Sequence, residues 1–99
     1  MPMYEEIQNY YEQLVVERIR RLAAEGETPN SDDDYLEDVA CVALNQLPAR
    51  YVRHKVDLVF YMPSEERFQM MNAVEEAVKT AIEYVEQHRG TSRPNTYAG

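Results

Sequence analysis

Apolar side chains recur along the chain with three distinct spacings, and these divide it into elements. Over residues 4–25 they fall at Ile7, Tyr11, Leu14, Val15, Ile19 and Leu22, steps of three and four that place them on one stripe of an α-helix. A first helix is predicted there, with Gly26 as its C-cap. Arg18, Arg20 and Arg21 gather in its last turns, where cations suit the negative end of the helix dipole and read as a solvated helix end. Residues 27–33 carry Pro29, Asn30 and Ser31 before an acidic run, which is turn chemistry leading into a new helix.

The second helix is predicted over 34–47, where Leu36, Val39, Ala40, Ala43, Leu44 and Leu47 follow helical spacing. Cys41 and Val42 fill most of the remaining circumference. A helix that is apolar all round must be buried on all sides, which two other long helices in so short a chain can hardly provide. A homo-oligomer with this helix near a subunit interface is therefore expected, with Ala40 and Ala43 allowing close approach. Pro48 ends the helix, because it lacks a backbone donor and disfavours the helical region at the residue before it.

Residues 49–54 read either as a short helical turn or as an irregular connector. In 55–62 the apolar positions follow a period of two: Val56, Leu58, Phe60 and Met62 share one parity. With no second strand in view, this is read as an extended segment that lies against the helices or pairs with its copy in another subunit. A third helix is predicted over 64–89, opened by Ser64 as N-cap and by Glu65 and Glu66 in the first turn. Phe68, Met71, Val74, Val78, Ala81, Ile82 and Val85 form its apolar stripe, and the steps from 71 to 85 make a two-repeat heptad seam of the kind found in bundles. Met70 and Met71 read as core or interface filling. Residues 90–99, rich in Gly, Thr, Ser, Pro and Asn, are expected to be a disordered tail.

The predicted architecture is thus all-α: a small helical bundle of three long helices plus a short turn or extended segment, homodimeric, in a domain covering 1–89. The 99 residues, 44% of them hydrophobic, allow one core and argue against wholesale disorder.

Charge changes the picture at one place. The chain is acidic, with 18 Asp and Glu against 10 Lys and Arg and a net charge of -8, so direct nucleic-acid binding is not expected. Yet no acid occurs from Val39 to Val56, while Arg50, Arg53 and Lys55 fall within six residues. If this turn is helical, Arg50, Arg53 and His54 share a face; if extended, Arg50 and His54 share one face and Tyr51, Arg53 and Lys55 the other. Arginine grips phosphate and stacks on purines, and tyrosine offers a flat stacking surface. The set suits a nucleotide, and the alternative is that its cations pair with the carboxylates of the first and third helices.

Other chemistry is not expected. His54 and Asp57 lack a nearby nucleophile, and no glycine-rich phosphate loop is present. Cys41 is the single cysteine; it is expected to be buried, forms no internal disulfide and suits a reducing cytoplasm. With only His54 and His88 beside it, it makes no metal signature. Asp32, Asp33 and Asp34 lack the glycine and terminal glutamate of a calcium loop and read as N-cap and first-turn charges. The N-terminus has no basic and apolar leader pattern, and no apolar run is long enough to span a membrane.

The run Asp38-Val-Ala-Cys-Val-Ala-Leu-Asn45-Gln-Leu-Pro48-Ala-Arg50-Tyr51-Val-Arg53-His54 resembles the late competence development protein ComFB family, together with Asn9-Tyr10-Tyr11-Glu12 before it and Val56-Asp57-Leu58-Val59-Phe60-Tyr61 after it. The likeness covers residues 5–89, and its most specific part is Ala43-Leu44-Asn45-x-Leu47-Pro48-x-Arg50-Tyr51. The resemblance implies a small helical homodimer of the bacterial cytoplasm with a non-catalytic, regulatory role, in some branches as a receptor for cyclic dinucleotides such as cyclic di-GMP. It makes Asn45, Arg50, Tyr51, Arg53 and His54 the candidates for the ligand pocket. Tyr51 or Tyr61 would stack a guanine, and Asn45 or Asp38 would read its edge. Some members hold a structural zinc with several cysteines; with Cys41 alone, no zinc and no cofactor is expected here. The competing expectation is a dimeric adaptor whose basic turn docks an acidic protein, with no small ligand.

Overall fold

The computed structural model describes residues 7–53 and 62–88. In chain order the elements are β1 (Gln8–Asn9), α1 (Tyr10–Ala24), α2 (Asp33–Asn45), β2 (Tyr51–Val52) and α3 (Ser64–His88). The described residues are mainly helical, three helices with one small two-stranded antiparallel sheet in which Gln8 faces Val52 and Asn9 faces Tyr51.

Helix α1 starts later than its apolar stripe suggested. Asn9 is extended, with φ -85 and ψ 113, and its side chain accepts from the backbone N–H of Tyr11, so it acts as N-cap and leaves Ile7 outside the helix. At the other end Gly26 takes φ +72, its N–H reaching the Ala23 carbonyl while that of Glu27 reaches Leu22. This is the left-handed glycine closure expected of the sequence. Arg18 departs from the solvated helix end: it is half-buried, its Nε has no hydrogen-bond partner among the described residues, and it lines a groove with Glu75 and Glu83 of α3.

Helix α2 runs from its N-cap Asp32 to Asn45, with Asp33 and Asp34 in the first turn. Asp32 makes no side-chain cap; its own N–H donates to Asn30 Oδ1 at 2.7 Å. Tyr35, Val39, Val42 and Ala43 are buried, Leu36, Ala40 and Leu44 are half-buried, and Cys41 is exposed. The expected burial of Cys41 is therefore corrected. Among the described residues α1 and α3 cover only part of the apolar α2 cylinder, and Cys41 is on its exposed side.

Helix α3 is entered from Pro63, whose carbonyl already accepts from Arg67 N–H at 3.1 Å. Ser64 is then the first helical residue and Pro63 stands in the cap position, since the cap carbonyl is the one that accepts the first helical bond. Val74, Val78 and Val85 are fully buried and meet Val15 of α1 and Val39 of α2 in one core. The heptad seam holds from Val74 to Val85 and fails before it. Met70 is buried, but Phe68 is 66% and Met71 41% exposed, because the buried face of α3 passes through Met70, Val74 and Ala77 and leaves residues 68 and 71 beside it.

The expected strand-like stretch at 55–62 lies, apart from Met62, outside the described residues, as do Tyr4, His54, Tyr61 and the predicted tail. The observed strand is earlier, at Tyr51–Val52, and its partner is the segment just before α1. A second strand was hidden because two residues are too few to show a period.

Candidate functional site

The basic turn is built by three elements. Pro48 and Ala49 release the chain from α2, and β2 then brings Arg50 and Tyr51 alongside the start of α1. Asn9 Oδ1 accepts from Tyr11 N–H at 3.2 Å and from Arg50 N–H at 2.9 Å, and Tyr10 N–H donates to the Arg50 carbonyl at 2.8 Å. The backbone of Arg50 is thus held on both its donor and its acceptor by residues 9 and 10.

The extended alternative is the one realised. Val52 turns inward and is buried, while Tyr51, 66% exposed, and Arg53 face outward. Arg50 has the opposite parity to Tyr51 and reaches α3, where its Nε donates to Glu66 Oε2 at 3.1 Å. This pair, with both side chains close to 40% exposed, realises for Arg50 the expectation that the turn's cations meet helix carboxylates. An ion pair so open to water stabilises by no more than about 1 kcal/mol. Buried Tyr11 senses both partners: burial first and then the Glu66 carboxylate push its phenol above the ordinary tyrosine value, and the Arg50 guanidinium opposes them.

The remaining candidates separate. Asn45 is exposed at the C-terminal end of α2, whereas Asp38 stands half-buried about two turns earlier. Burial first, and then the nearby Asp34 carboxylate, raises the Asp38 pKa. His54 and Tyr61 fall outside the described residues. Arg50, Tyr51 and Arg53 are the candidates that stand together. Among the described residues no group of three His, Cys, Asp or Glu is placed to hold a metal, and no helix is long and apolar enough to cross a membrane.

Tyr51 also lines an open groove of about 580 Å³ along the outer face of α1, with Ile7, Glu12, Val16 and Arg20. Two residues outside the candidate set organise the site, Asn9 and Glu66. Asn9 had a readable signal, since an Asn followed three residues later by Glu12 just before an apolar run marks a helix start. Glu66 had none, because its partner lies 16 residues away.

Neither a curated protein nor a solved structure matches the chain. The family model described as late competence development protein ComFB matches residues 8–89, a span that runs from β1 to the end of α3 and includes both the Asn9 clamp and the basic turn. The chain belongs to the ComFB family.

Proposed function

We propose that this chain is a non-catalytic regulatory protein that works as a homodimer and receives a cyclic dinucleotide, such as cyclic di-GMP, at the turn formed by residues 50–53. Membership of the ComFB family suggests a competence-related regulatory protein; the ligand, the dimer and a cytoplasmic setting are the further steps of this reading. The observation that carries it is the outward display of Tyr51 beside Arg53 on a ribbon pinned by Asn9, in a chain of net charge -8. A stacking ring next to a phosphate-gripping cation is a nucleotide-binding pair. A ligand with twofold symmetry also matches a twofold dimer.

Calorimetry with cyclic di-GMP, cyclic di-AMP and GTP tests the reading. Heat at micromolar concentrations is expected for a cyclic dinucleotide, and its absence for all three sinks the receptor. A second reading, an adaptor docking an acidic protein, is favoured by one contact: Arg50 already takes a carboxylate, that of Glu66. Silence in calorimetry together with pull-down of an acidic protein that Arg53→Glu abolishes is its expected signature.

A further inference from the structure

Asn45 and Asp38, the residues expected from the sequence to read a base edge, do not line the groove that holds Tyr51. Tyr51 lies opposite Asn9 in the ribbon, and Glu12 stands one helical turn beyond Asn9 on α1. Ring and carboxylate therefore share that groove of about 580 Å³. Val16, the next residue along the same face of α1, gives it an apolar wall. A second carboxylate, Glu17, also lines the groove, and the two are not alike. Glu17 Oε2 accepts from Gln13 Nε2 at 3.0 Å. Glu12 is exposed and, among the described residues, forms neither a hydrogen bond nor an ion pair.

We infer that Glu12 reads the base: its carboxylate accepts the N1–H and the exocyclic amine of a guanine stacked on Tyr51, and so selects guanine over adenine. The inference rests on the receptor in the proposed function and names the base that it takes. Guanine carries two N–H donors side by side on its pairing edge, and an ionised carboxylate is acceptor-only, with two oxygens to meet them. Adenine carries an acceptor, N1, beside its amine, and that lone pair faces the carboxylate with no proton between them. The amide of Asn45 would select less, because it holds both a donor and an acceptor and can turn to suit either base. The first turn of α1 is also a favourable place for a fixed anion, since the helix dipole is positive there. With Arg53 outward beside Tyr51 for the phosphate, ring, cation and carboxylate divide the nucleotide between them.

Replacing the carboxylate by an amide tests this without touching the core, because Glu12 is exposed and E12Q keeps its size. Calorimetry of the full chain is expected to give cyclic di-GMP a Kd at least about a hundredfold below that of cyclic di-AMP. Cyclic di-IMP, which lacks the exocyclic amine, should bind about tenfold more weakly than cyclic di-GMP. In E12Q the amide can meet either base, so the preference for guanine over adenine should fall about tenfold or more, while E17Q keeps it within about threefold. A first-turn acid that only complements the helix dipole would alter stability and leave the preference unchanged. A parent that binds cyclic di-AMP or cyclic di-IMP as tightly as cyclic di-GMP, an unchanged preference in E12Q, or an equal loss in E17Q each overturn the role of Glu12 and leave the receptor standing. No heat from any of the three ligands in the parent overturns both.

Discussion

Asn9 and Arg50 are 41 residues apart in the chain, and the side-chain oxygen of the first accepts the backbone N–H of the second at 2.9 Å while also capping α1 through Tyr11 N–H. One amide therefore starts a helix and anchors the basic turn. Asn9→Ala removes both acceptors and leaves two donors to find water or remain unpaired, a loss of about 1–3 kcal/mol in urea unfolding. Asn9→Asp keeps an acceptor at the positive end of the helix and should lose less than half of that. Equal losses for the two variants would mean that the shared oxygen is not what matters.

Glu66 competes for Arg50 with any anion that approaches the turn. Glu66→Gln should alter stability by less than about 1 kcal/mol, as befits an ion pair with both side chains close to 40% exposed. If the turn is a nucleotide site, the same change frees the guanidinium and tightens cyclic di-GMP binding in calorimetry, while Arg53→Ala weakens it by roughly 1.5–3 kcal/mol. Weaker binding in Glu66→Gln would show that Glu66 positions Arg50 rather than competing for it.

Along α3 the apolar residues are not equivalent. Val78 has no exposed surface and Phe68 is 66% exposed. Val78→Ala should cost roughly 2 kcal/mol of unfolding free energy through lost burial and a cavity, whereas the larger deletion Phe68→Ala should stay within about 0.5 kcal/mol. Thermal or urea melts of the two variants decide it, and a costly Phe68→Ala would place that ring in a buried contact.

Asp38 carries a pH signature. Its pKa is raised on folding, first by burial and then by Asp34, so the folded chain holds its proton more tightly than the unfolded one. The associated stability is present at acid pH and is lost as pH rises from the ordinary aspartate value through the raised folded one. Asp38→Asn removes this dependence, so its melting temperature relative to the parent should be higher at pH 7 than at pH 4. A difference that is flat with pH, or that grows toward acid, contradicts the assignment.

The sequence by itself determined the three helices, their order and most of their inward faces. Amphipathic spacing is a local property, and Val15, Ile19, Val39, Val74, Val78 and Val85 could have only one sensible side once the period was read. It also determined the end of α1 at Gly26 with its positive φ, whereas α2 stops at Asn45, two residues before the end that Pro48 predicts. The concentration of cations at 50–55 was equally plain, because charge is read by counting.

Tertiary structure decided what depends on partners distant in sequence. The pairing of Gln8–Asn9 with Tyr51–Val52 has no periodic signature at two residues a strand, and together with the hold of residues 9 and 10 on Arg50 it chose the extended form of the turn over the helical one. The exposure of Cys41, Phe68 and Met71 follows from which faces of α2 and α3 the neighbouring helices cover, which their own spacing does not encode. Arg50 and Arg53, alike in the sequence, became different residues: one is drawn to Glu66 on α3 and the other is left facing outward with Tyr51.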